Sequence, residues 1–229
     1  MNESLNFCTN IISGEKIDIF QYTARVYIAG YSNSGKTHLC LSLLKKYISK
    51  FEKIIICDSP NNIEFQNEAK LKSKLEILDY IPTISEISLN YQNKSVILIF
   101  DDNYFSTLNS KNVLDLTTRG RHKNINLIIL TQNLLSKAKF QRDITLNMTH
   151  FLITRVRDLS QLQVLSRQIF GKEYFNKISV VYQFIHKHEK WGHLLIDLSA
   201  GNTSATEMRS NIIADNKNHN YEMCYNFVK

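Results

Sequence analysis

The residues with the clearest chemical meaning form the segment GYSNSGKT at Gly30–Thr37. Its pattern, G-x-x-x-x-G-K-[ST], is that of a phosphate-binding loop. In such a loop, glycines let successive backbone N–H groups turn toward a phosphate, and the following helix N-terminus adds partial positive charge. The pattern predicts an ATP site formed by Gly30, Ser32, Asn33, Ser34, Gly35, Lys36, Thr37 and His38.

Two side chains of this loop have distinct expected roles. Lys36 is expected to reach the β- and γ-phosphates, and the Thr37 hydroxyl is expected to bind Mg²⁺. The β-branched run Arg25–Ala29 precedes the loop, and Thr37–Lys50 has helical periodicity. An ordinary strand–turn–helix is the alternative, but the strand and helix are the context that phosphate binding requires.

A pair of carboxylates follows a wholly apolar segment, Ser95–Phe100. In a loop NTPase, a carboxylate at such a strand end holds the Mg²⁺ shell, and Asp101 fits this role. Asp102 is positioned to orient or deprotonate the attacking water. Aspartate also ends strands simply as a turn former, but the upstream loop favours the catalytic interpretation.

A polar side chain, Gln132, follows the next apolar strand, Asn126–Thr131. In P-loop enzymes with an extra strand between the loop strand and the acidic strand, a polar residue at this position senses the γ-phosphate. The alternative is an ordinary polar residue at a strand end. We predict that Gln132 contacts the phosphate or the attacking water.

Together these elements resemble a known family. The residues that carry the resemblance are GYSNSGKT, VILIFDD and TRGRHKNINLIILTQN, with Arg142 and Asn147 downstream, and they span about residues 25–155. This combination is similar to the FtsK–HerA superfamily of DNA-pumping ATPases. Within it, the chain resembles the small genome-packaging ATPases of poxviruses, other large DNA viruses, virophages and Polinton-type elements.

The resemblance implies both a fold and a function. The fold would be α/β, an additional-strand (RecA/FtsK-like) P-loop NTPase with a mostly parallel central sheet flanked by helices. The function would be ATP-driven translocation of double-stranded DNA into a capsid by a homo-oligomeric ring, a hexamer or pentamer. The implied partners are double-stranded DNA and capsid proteins, and the implied location is inside a host cell or with the virion.

A ring gives the arginines a role, because an arginine from a neighbouring subunit can stabilise charge on the transferring phosphoryl group. Arg119 and Arg121 are the first candidates for this arginine finger, and Arg142 and Arg155 are the second. Solvent-exposed arginines or DNA contacts are the alternatives. Many relatives carry glutamate where this chain has Asp102, which leaves the identity of the general base open.

A motor that passes any sequence should contact mainly DNA phosphates. Lys137, Lys139 and Arg142 are the candidate contacts, and a basic loop facing solvent is the alternative. The net charge of +7 suits a polyanionic partner without identifying one.

Composition and patterning predict one main domain. The 229 residues are 43% hydrophobic, enough for a sizeable core. Strands that are apolar throughout and alternate with helices are typical of a parallel sheet covered on both faces. We assign residues 1–22 to a lead-in, 23–200 to the ATPase domain, and 201–229 to a tail that packs on the domain or on a neighbouring subunit.

Several other classes of site are disfavoured. The N-terminus has no signal-peptide pattern, and the longest apolar runs are too short to span a bilayer. The four cysteines form no CxxC pair, and His186, His188 and His193 lack a recognisable zinc-ligand spacing. We interpret Trp191 and the aromatic residues of Tyr174–Phe184 as core rather than as a base-stacking surface.

Two other functions remain possible on the same loop. A small-molecule kinase would carry an arginine-bearing lid and an acceptor pocket, and no clear lid is visible. An ATP-switched DNA-binding or assembly protein would need no hydrolysis, and the carboxylate pair and Gln132 disfavour it.

Overall fold

The computed structural model describes residues 7–11, 18–57, 63–101, 104–169, 171, 174–199, 207–213 and 223–227. Ten strands form a single sheet. In chain order they are β1 (Phe7–Ile11), β2 (Arg25–Ala29), β3 (Lys53–Cys57), β4 (Leu75–Leu78), β5 (Val96–Phe100), β6 (Ile125–Thr131), β7 (His150–Ile153), β8 (Leu194–Asp197), β9 (Glu207–Ser210) and β10 (Met223–Phe227).

Helices connect most of these strands. They are α1 (Lys36–Lys46), α2 (Ile63–Asn67), α3 (Ile84–Asn90), α4 (Tyr104–Asn109), α5 (Lys111–Arg119), α6 (Gln141–Leu146), α7 (Leu159–Ile169) and α8 (Tyr174–His188). Two short 3₁₀ turns lie at Ile48–Lys50 and Gly120–Lys123. In the described part of the chain, none of the helices is long and apolar enough to cross a bilayer.

The strand order is β1-β10-β9-β8-β7-β2-β6-β5-β3-β4. The six strands from β7 to β4 are parallel, and β8, β9, β10 and β1 extend the sheet through antiparallel pairs. Strand β6 lies between the loop strand β2 and the acidic strand β5. The predicted additional-strand, mostly parallel α/β fold is therefore confirmed.

Strand β5 is apolar at every position, and β6 is apolar from Leu127 to Leu130, because both faces of the sheet are covered. Every residue of β5 and β6 is buried. Successive side chains of a strand point to opposite faces. Accordingly, Leu98 and Phe100 belong to one hydrophobic cluster, and Ile97 and Ile99 belong to the other. Two cores, one on each face, hold the sheet.

The polar stretch after β3 also predicts a helix near Asn67–Lys74, and this prediction is wrong. Helix α2 ends at Asn67, and residues 69–74 form turns. The Lys74 amide bonds the Leu71 carbonyl, which is the three-residue spacing of a turn. Its ammonium donates to the carbonyls of Ile48 and Phe51, at 2.9 and 2.6 Å. These long-range bonds hold the segment against the end of the Ile48–Lys50 turn, a tertiary constraint that local periodicity does not report.

Residues near the C-terminus belong to the same sheet. Strand β9 pairs with β8, and β10 pairs with both β9 and β1. A buried hydrogen bond of 2.8 Å joins the hydroxyls of Ser210 and Tyr225 across β9 and β10. The proposed boundaries of the lead-in, the ATPase domain and the tail stay predictions.

Candidate nucleotide-binding site

The segment Gly30–Gly35 connects the carboxyl end of β2 to the N-terminus of α1. Backbone bonds fix its start to both neighbouring strands. The Gly30 amide donates to the Thr131 carbonyl at 3.1 Å, and the Tyr31 amide donates to the Arg155 carbonyl at 2.8 Å. The Ser34 amide donates back to the Tyr31 carbonyl at 3.1 Å, which closes the turn. The loop is thus held at the same sheet edge as the ends of β6 and β7.

Two residues of the loop have left-handed backbone conformations. Asn33 has φ 63° and Gly35 has φ 90°. Asparagine and glycine tolerate positive φ better than other residues. Gly35 is also the N-cap of α1, so the motif's second glycine lets the chain turn sharply into the helix.

A buried hydroxyl pair closes the base of the loop. Thr154 Oγ1 donates to the Ala29 carbonyl at 3.0 Å and lies 2.7 Å from Ser34 Oγ. Because the threonine proton is used on Ala29, the Ser34 hydroxyl donates to Thr154. The Ser34 side chain therefore holds the loop to β7, while Ser32 and Asn33 are exposed at its crest and His38 is exposed on the first turn of α1.

The motif lysine lies across its own loop. Lys36 is buried, and its Nζ donates to the Tyr31 carbonyl at 3.1 Å. A buried ammonium needs such a partner because desolvation of a charge is costly. This bond holds the cation against the backbone of the loop.

Thr37 and Asp101 meet at the same sheet edge, although their strands are separated by β6. Thr37 Oγ1 donates to Asp101 Oδ2 at 3.4 Å, and Asp101 is buried directly after β5. Hydroxyl and carboxylate oxygens are the hard ligands that Mg²⁺ prefers. Burial, followed by the charge of Asp101, raises the pKa of the Cys40 thiol well above its ordinary value. Cys40 therefore stays protonated beside this carboxylate.

Gln132 is the first residue after β6 and is exposed. The preceding residue, Thr131, supplies the carbonyl that binds the Gly30 amide, so Gln132 lies next to the start of the loop. The structure thus brings Lys36, Asp101 and Gln132 to one edge of the sheet. Asp102 lies outside the described residues.

Arg119 and Arg121 lie at the opposite edge of the sheet. Arg119 ends α5, and Arg121 belongs to the Gly120–Lys123 turn that leads into β6. Strand β6 then runs its full length before reaching Thr131 beside the loop. At about 3.3 Å per strand residue, this separation is on the order of 20 Å. Both arginines are exposed and too far away to reach the phosphate-binding loop of the same chain.

The other basic candidates lie elsewhere. Arg155 follows β7 beside the loop, and its guanidinium donates to the His186 carbonyl at 3.3 Å. Lys137, Lys139 and Arg142 are all exposed between β6 and β7. Sequence reasoning missed Arg157, whose guanidinium lies 5.9 Å from the centre of the Tyr31 ring. Its signal is the spacing Arg155-x-Arg157 directly after the strand that flanks the loop.

Two histidines near Arg155 are held neutral. Burial is the main cause that lowers the pKa of both His186 and His193 to about 4. The Arg155 charge adds to this effect at His186, and His186 adds to it at His193. Within the described ranges, no group of three His, Cys, Asp or Glu side chains could hold a metal ion.

The interpretation of Trp191 as a core residue is wrong. Its side chain is 63% exposed, whereas Tyr182 of α8 is buried as predicted for the aromatic residues of that helix. Trp191 lines a cavity of about 780 Å³ beside the loop and the first turns of α1. The turn between α8 and β8 brings it there, and nothing in the local sequence pattern indicates that position.

The geometry at Gly30 yields a direct test. A Cβ atom on Gly30 would lie 1.9 Å from Thr154 Oγ1 and 2.6 Å from Ser34 Oγ. We expect Gly30→Ala to break the hydroxyl pair, displace the loop and weaken ATP binding at least about 10-fold, as measured by calorimetry. Gly120→Ala is the matched control, because its Cβ would meet only ordinary contacts of 3.5 Å or more. Equal ATP affinity in the two variants would contradict this account of the loop.

Comparisons with known proteins agree with this geometry. Residues 15–196 match the family model described as poxvirus A32 protein. No curated protein sequence matches the chain significantly. Among solved structures, the chain is similar to the genome packaging NTPase B204 from Sulfolobus turreted icosahedral virus 2 in complex with ATPγS. The TM-score is 0.56 and the sequence identity is 14%, and the match covers 82% of this chain and 96% of that chain.

Two further structures share the fold. B204, the DNA-packaging ATPase from Sulfolobus turreted icosahedral virus, has a TM-score of 0.53 and 16% identity, over 82% of this chain and 97% of that chain. The conjugation coupling protein TcpA of pCW3, a monomer form with ATPγS, has a TM-score of 0.52 and 16% identity, over 86% of this chain and 64% of that chain.

At these identities the structural likeness establishes the fold, that of nucleotide-binding P-loop proteins. The family match is independent of it and covers most of the chain, including every described residue of the loop and the strand ends. The predicted resemblance to viral packaging ATPases is confirmed. This protein belongs to the poxvirus A32 protein family.

Proposed function

We propose that this protein is a Mg²⁺-dependent ATPase that drives double-stranded DNA into a viral capsid. The observation that carries the proposal is the convergence of Lys36, Thr37 and Asp101 at one sheet edge, across the intervening strand β6. Membership of the poxvirus A32 family supports it, as does the fold shared with B204, a genome packaging NTPase. The protein would act inside the infected host cell, where capsids are filled.

ATP binding follows from the arrangement of the loop. A triphosphate entering the loop would offer the Lys36 ammonium a stronger partner than the Tyr31 carbonyl, because charge-assisted bonds to phosphate exceed neutral ones. Lys36 would then bind the β- and γ-phosphates. The amides at the start of α1 would face the phosphate oxygens.

Thr37 and Asp101 are the residues that would hold Mg²⁺, since their oxygens already lie 3.4 Å apart. The ion would neutralise charge that develops on the phosphate oxygens. Asp102 would orient or deprotonate the attacking water, as proposed from its position after Asp101. Gln132 would contact the γ-phosphate or that water from the end of β6.

Strand β6 would connect the γ-phosphate contact at Gln132 to the proposed arginine finger at its other end. Gln132 follows its carboxyl end, and the Gly120–Lys123 turn precedes its amino end. All seven strand residues are buried, and the strand pairs with β2 on one side and with β5 on the other, so it is held as a rigid element. A change at the γ-phosphate would therefore reach Arg121 as a displacement of the strand or its turn.

The distance of Arg119 and Arg121 from their own loop favours action in a neighbouring subunit. Both side chains are exposed, and the Arg119 guanidinium lies 4.0 Å from the Asp115 carboxylate. In a ring, this edge of one subunit would approach the nucleotide edge of the next. We propose a homo-oligomeric ring, a hexamer or pentamer, in which one of these arginines is the finger. Arg155 would act within its own subunit.

DNA contacts would come from exposed cations that can follow the phosphate backbone. Lys137, Lys139 and Arg142 are exposed within one short stretch of chain, and the net charge is +7. Contacts to phosphates carry no sequence information, as a packaging motor requires. Capsid proteins would be the second partner, docked at the entry point for DNA.

The ATPase proposal predicts a specific loss on removing the loop cation. We expect DNA-stimulated ATP hydrolysis in the wild type and a loss of about 100-fold or more in Lys36→Ala, since a buried cation that stabilises phosphate charge is removed. Phosphate release with and without double-stranded DNA at low salt measures both effects. Lys45→Ala is the control, because Lys45 lies on the same helix and pairs with Glu68 at the surface. An equal rate of phosphate release with and without DNA would count against a motor.

The finger proposal predicts how mixed rings behave. We expect Arg121→Ala to lower the ATPase rate about 10³-fold or more, and mixtures with wild type to lose activity faster than linearly with the mutant fraction. A series of mixing ratios at constant total protein measures the curve. Arg167→Ala, an exposed arginine on α7, should dilute linearly with no loss. A simple linear dilution for both Arg119→Ala and Arg121→Ala would exclude a finger at this edge.

A further inference from the structure

The cavity beside the phosphate loop has two different walls. One wall is the loop and the first turns of α1, including Gly35, Thr37 and Leu39. The other wall is formed by residues that precede β8 and residues that follow β9. They are Trp191, His193, Asn211 and Ile213. Its volume of about 780 Å³ lies in the range of small-molecule sites. Binding of the ATP phosphates would use only the first wall, so the phosphates do not explain the second wall.

Sheet topology explains why the second wall lies at this edge. Strand β8 is antiparallel to β7, so the residues before Leu194 lie at the carboxyl edge of the parallel strands. Strand β9 is antiparallel to β8, so the residues after Ser210 return to the same edge. Both lie on the β7 side of β2, whereas Asp101 lies on the β6 side. The second wall of the cavity therefore lies on the side of the loop away from Asp101.

Trp191 presents an exposed aromatic ring directly against the loop. Its Cε3 atom lies 3.5 Å from the position that a Cβ on Gly35 would occupy. The indole is 63% exposed and lines the cavity, so its ring is accessible to a ligand bound there. A flat aromatic ring beside a phosphate site is suited to stack on a nucleotide base.

The backbone that carries Trp191 is held tightly. A Cβ on the following residue, Gly192, would lie 2.5 Å from Ile185 Cγ2 and 3.0 Å from Glu189 Cβ, so the turn packs closely on the end of α8. The buried His193 ring hydrogen-bonds to the Trp191 backbone. Lys190 Nζ lies 5.4 Å from the centre of the indole ring. The turn is therefore preorganised to present the ring.

We propose that Trp191 stacks on the adenine of ATP bound in the loop and is the base-positioning residue of the site. The inference rests on the proposed nucleotide binding and adds the side chain that holds the nucleoside end. With the γ-phosphate toward Asp101 and Gln132, the adenosine extends toward β8 and β9, where Trp191 lies. The residue binds substrate without taking part in phosphoryl transfer.

The chain contains a single tryptophan, so intrinsic fluorescence reports this residue alone. We expect ATP with Mg²⁺ to change the emission of wild-type protein on saturable titration. Inorganic tripolyphosphate with Mg²⁺ has no base and should bind, by calorimetry, with little change in emission. An equal change with both ligands would overturn the stacking proposal.

Variants give a second readout. Trp191→Ala should weaken ATP binding by about 10-fold, within the range found for loss of one base–aromatic stack, while tripolyphosphate binding stays within about 2-fold. Trp191→Phe should retain most of the ATP affinity because the aromatic face remains. Tyr22→Ala removes another strongly exposed aromatic side chain and should change neither affinity. Circular dichroism confirms that each variant is folded.

The outcomes separate this inference from the proposed function. Wild-type protein that binds ATP with unchanged emission, together with full ATP affinity in Trp191→Ala, would overturn the inference and leave the ATPase proposal standing. Wild-type protein that binds neither ATP nor tripolyphosphate would overturn both. Loss of tripolyphosphate binding in a folded Trp191→Ala variant would overturn the proposal that Trp191 stacks on the base. It would show instead that Trp191 supports the structure of the loop.

Discussion

The hydrogen bond from the Gly30 amide to the Thr131 carbonyl fixes the phosphate loop onto the end of the neighbouring strand. Together with the bond from the Tyr31 amide to the Arg155 carbonyl, it fixes the position of the loop along the ends of β6 and β7. The relative positions of the other groups at the site depend on this placement of the loop. It lets Thr37 meet Asp101 across an intervening strand, and it sets Gln132 beside the start of the loop. A shift of one residue in either pairing would separate these groups, because the side chains of a strand alternate between faces.

The strand order places residues of different chemistry on the two sides of the loop. Residues on the β6 and β5 side of the loop are polar or acidic and suit the terminal phosphate and its metal ion. Residues on the β7, β8 and β9 side form a wall with an exposed indole and suit the nucleoside. The opposite edge of the sheet carries Arg119 and Arg121, which cannot reach the site of their own subunit. In the proposed ring, catalysis would need an arginine of the neighbouring subunit, which would couple assembly to turnover.

Much of this could be predicted from the sequence, for physical reasons that differ between elements. The loop and Asp101 were predictable because phosphate binding constrains residue type at fixed spacing. Strands β5 and β6 were predictable because burial on both faces requires uninterrupted apolar runs. Trp191 was misassigned because its exposure depends on the antiparallel return of β8 and the close packing of Gly192, both long-range features. The helix expected near Asn67–Lys74 failed for the same kind of reason, since Lys74 is held by carbonyls more than twenty residues away.

The central claim is that Lys36, Thr37 and Asp101 clasp the terminal phosphates of ATP and their Mg²⁺. A crystal structure of the protein with ATPγS and Mg²⁺ tests it most directly. We predict that Lys36 Nζ leaves the Tyr31 carbonyl and contacts the β- and γ-phosphate oxygens, with Mg²⁺ bound by Thr37 and near Asp101. A nucleotide bound elsewhere, or a Lys36 ammonium still on the Tyr31 carbonyl with the triphosphate present, would contradict the account.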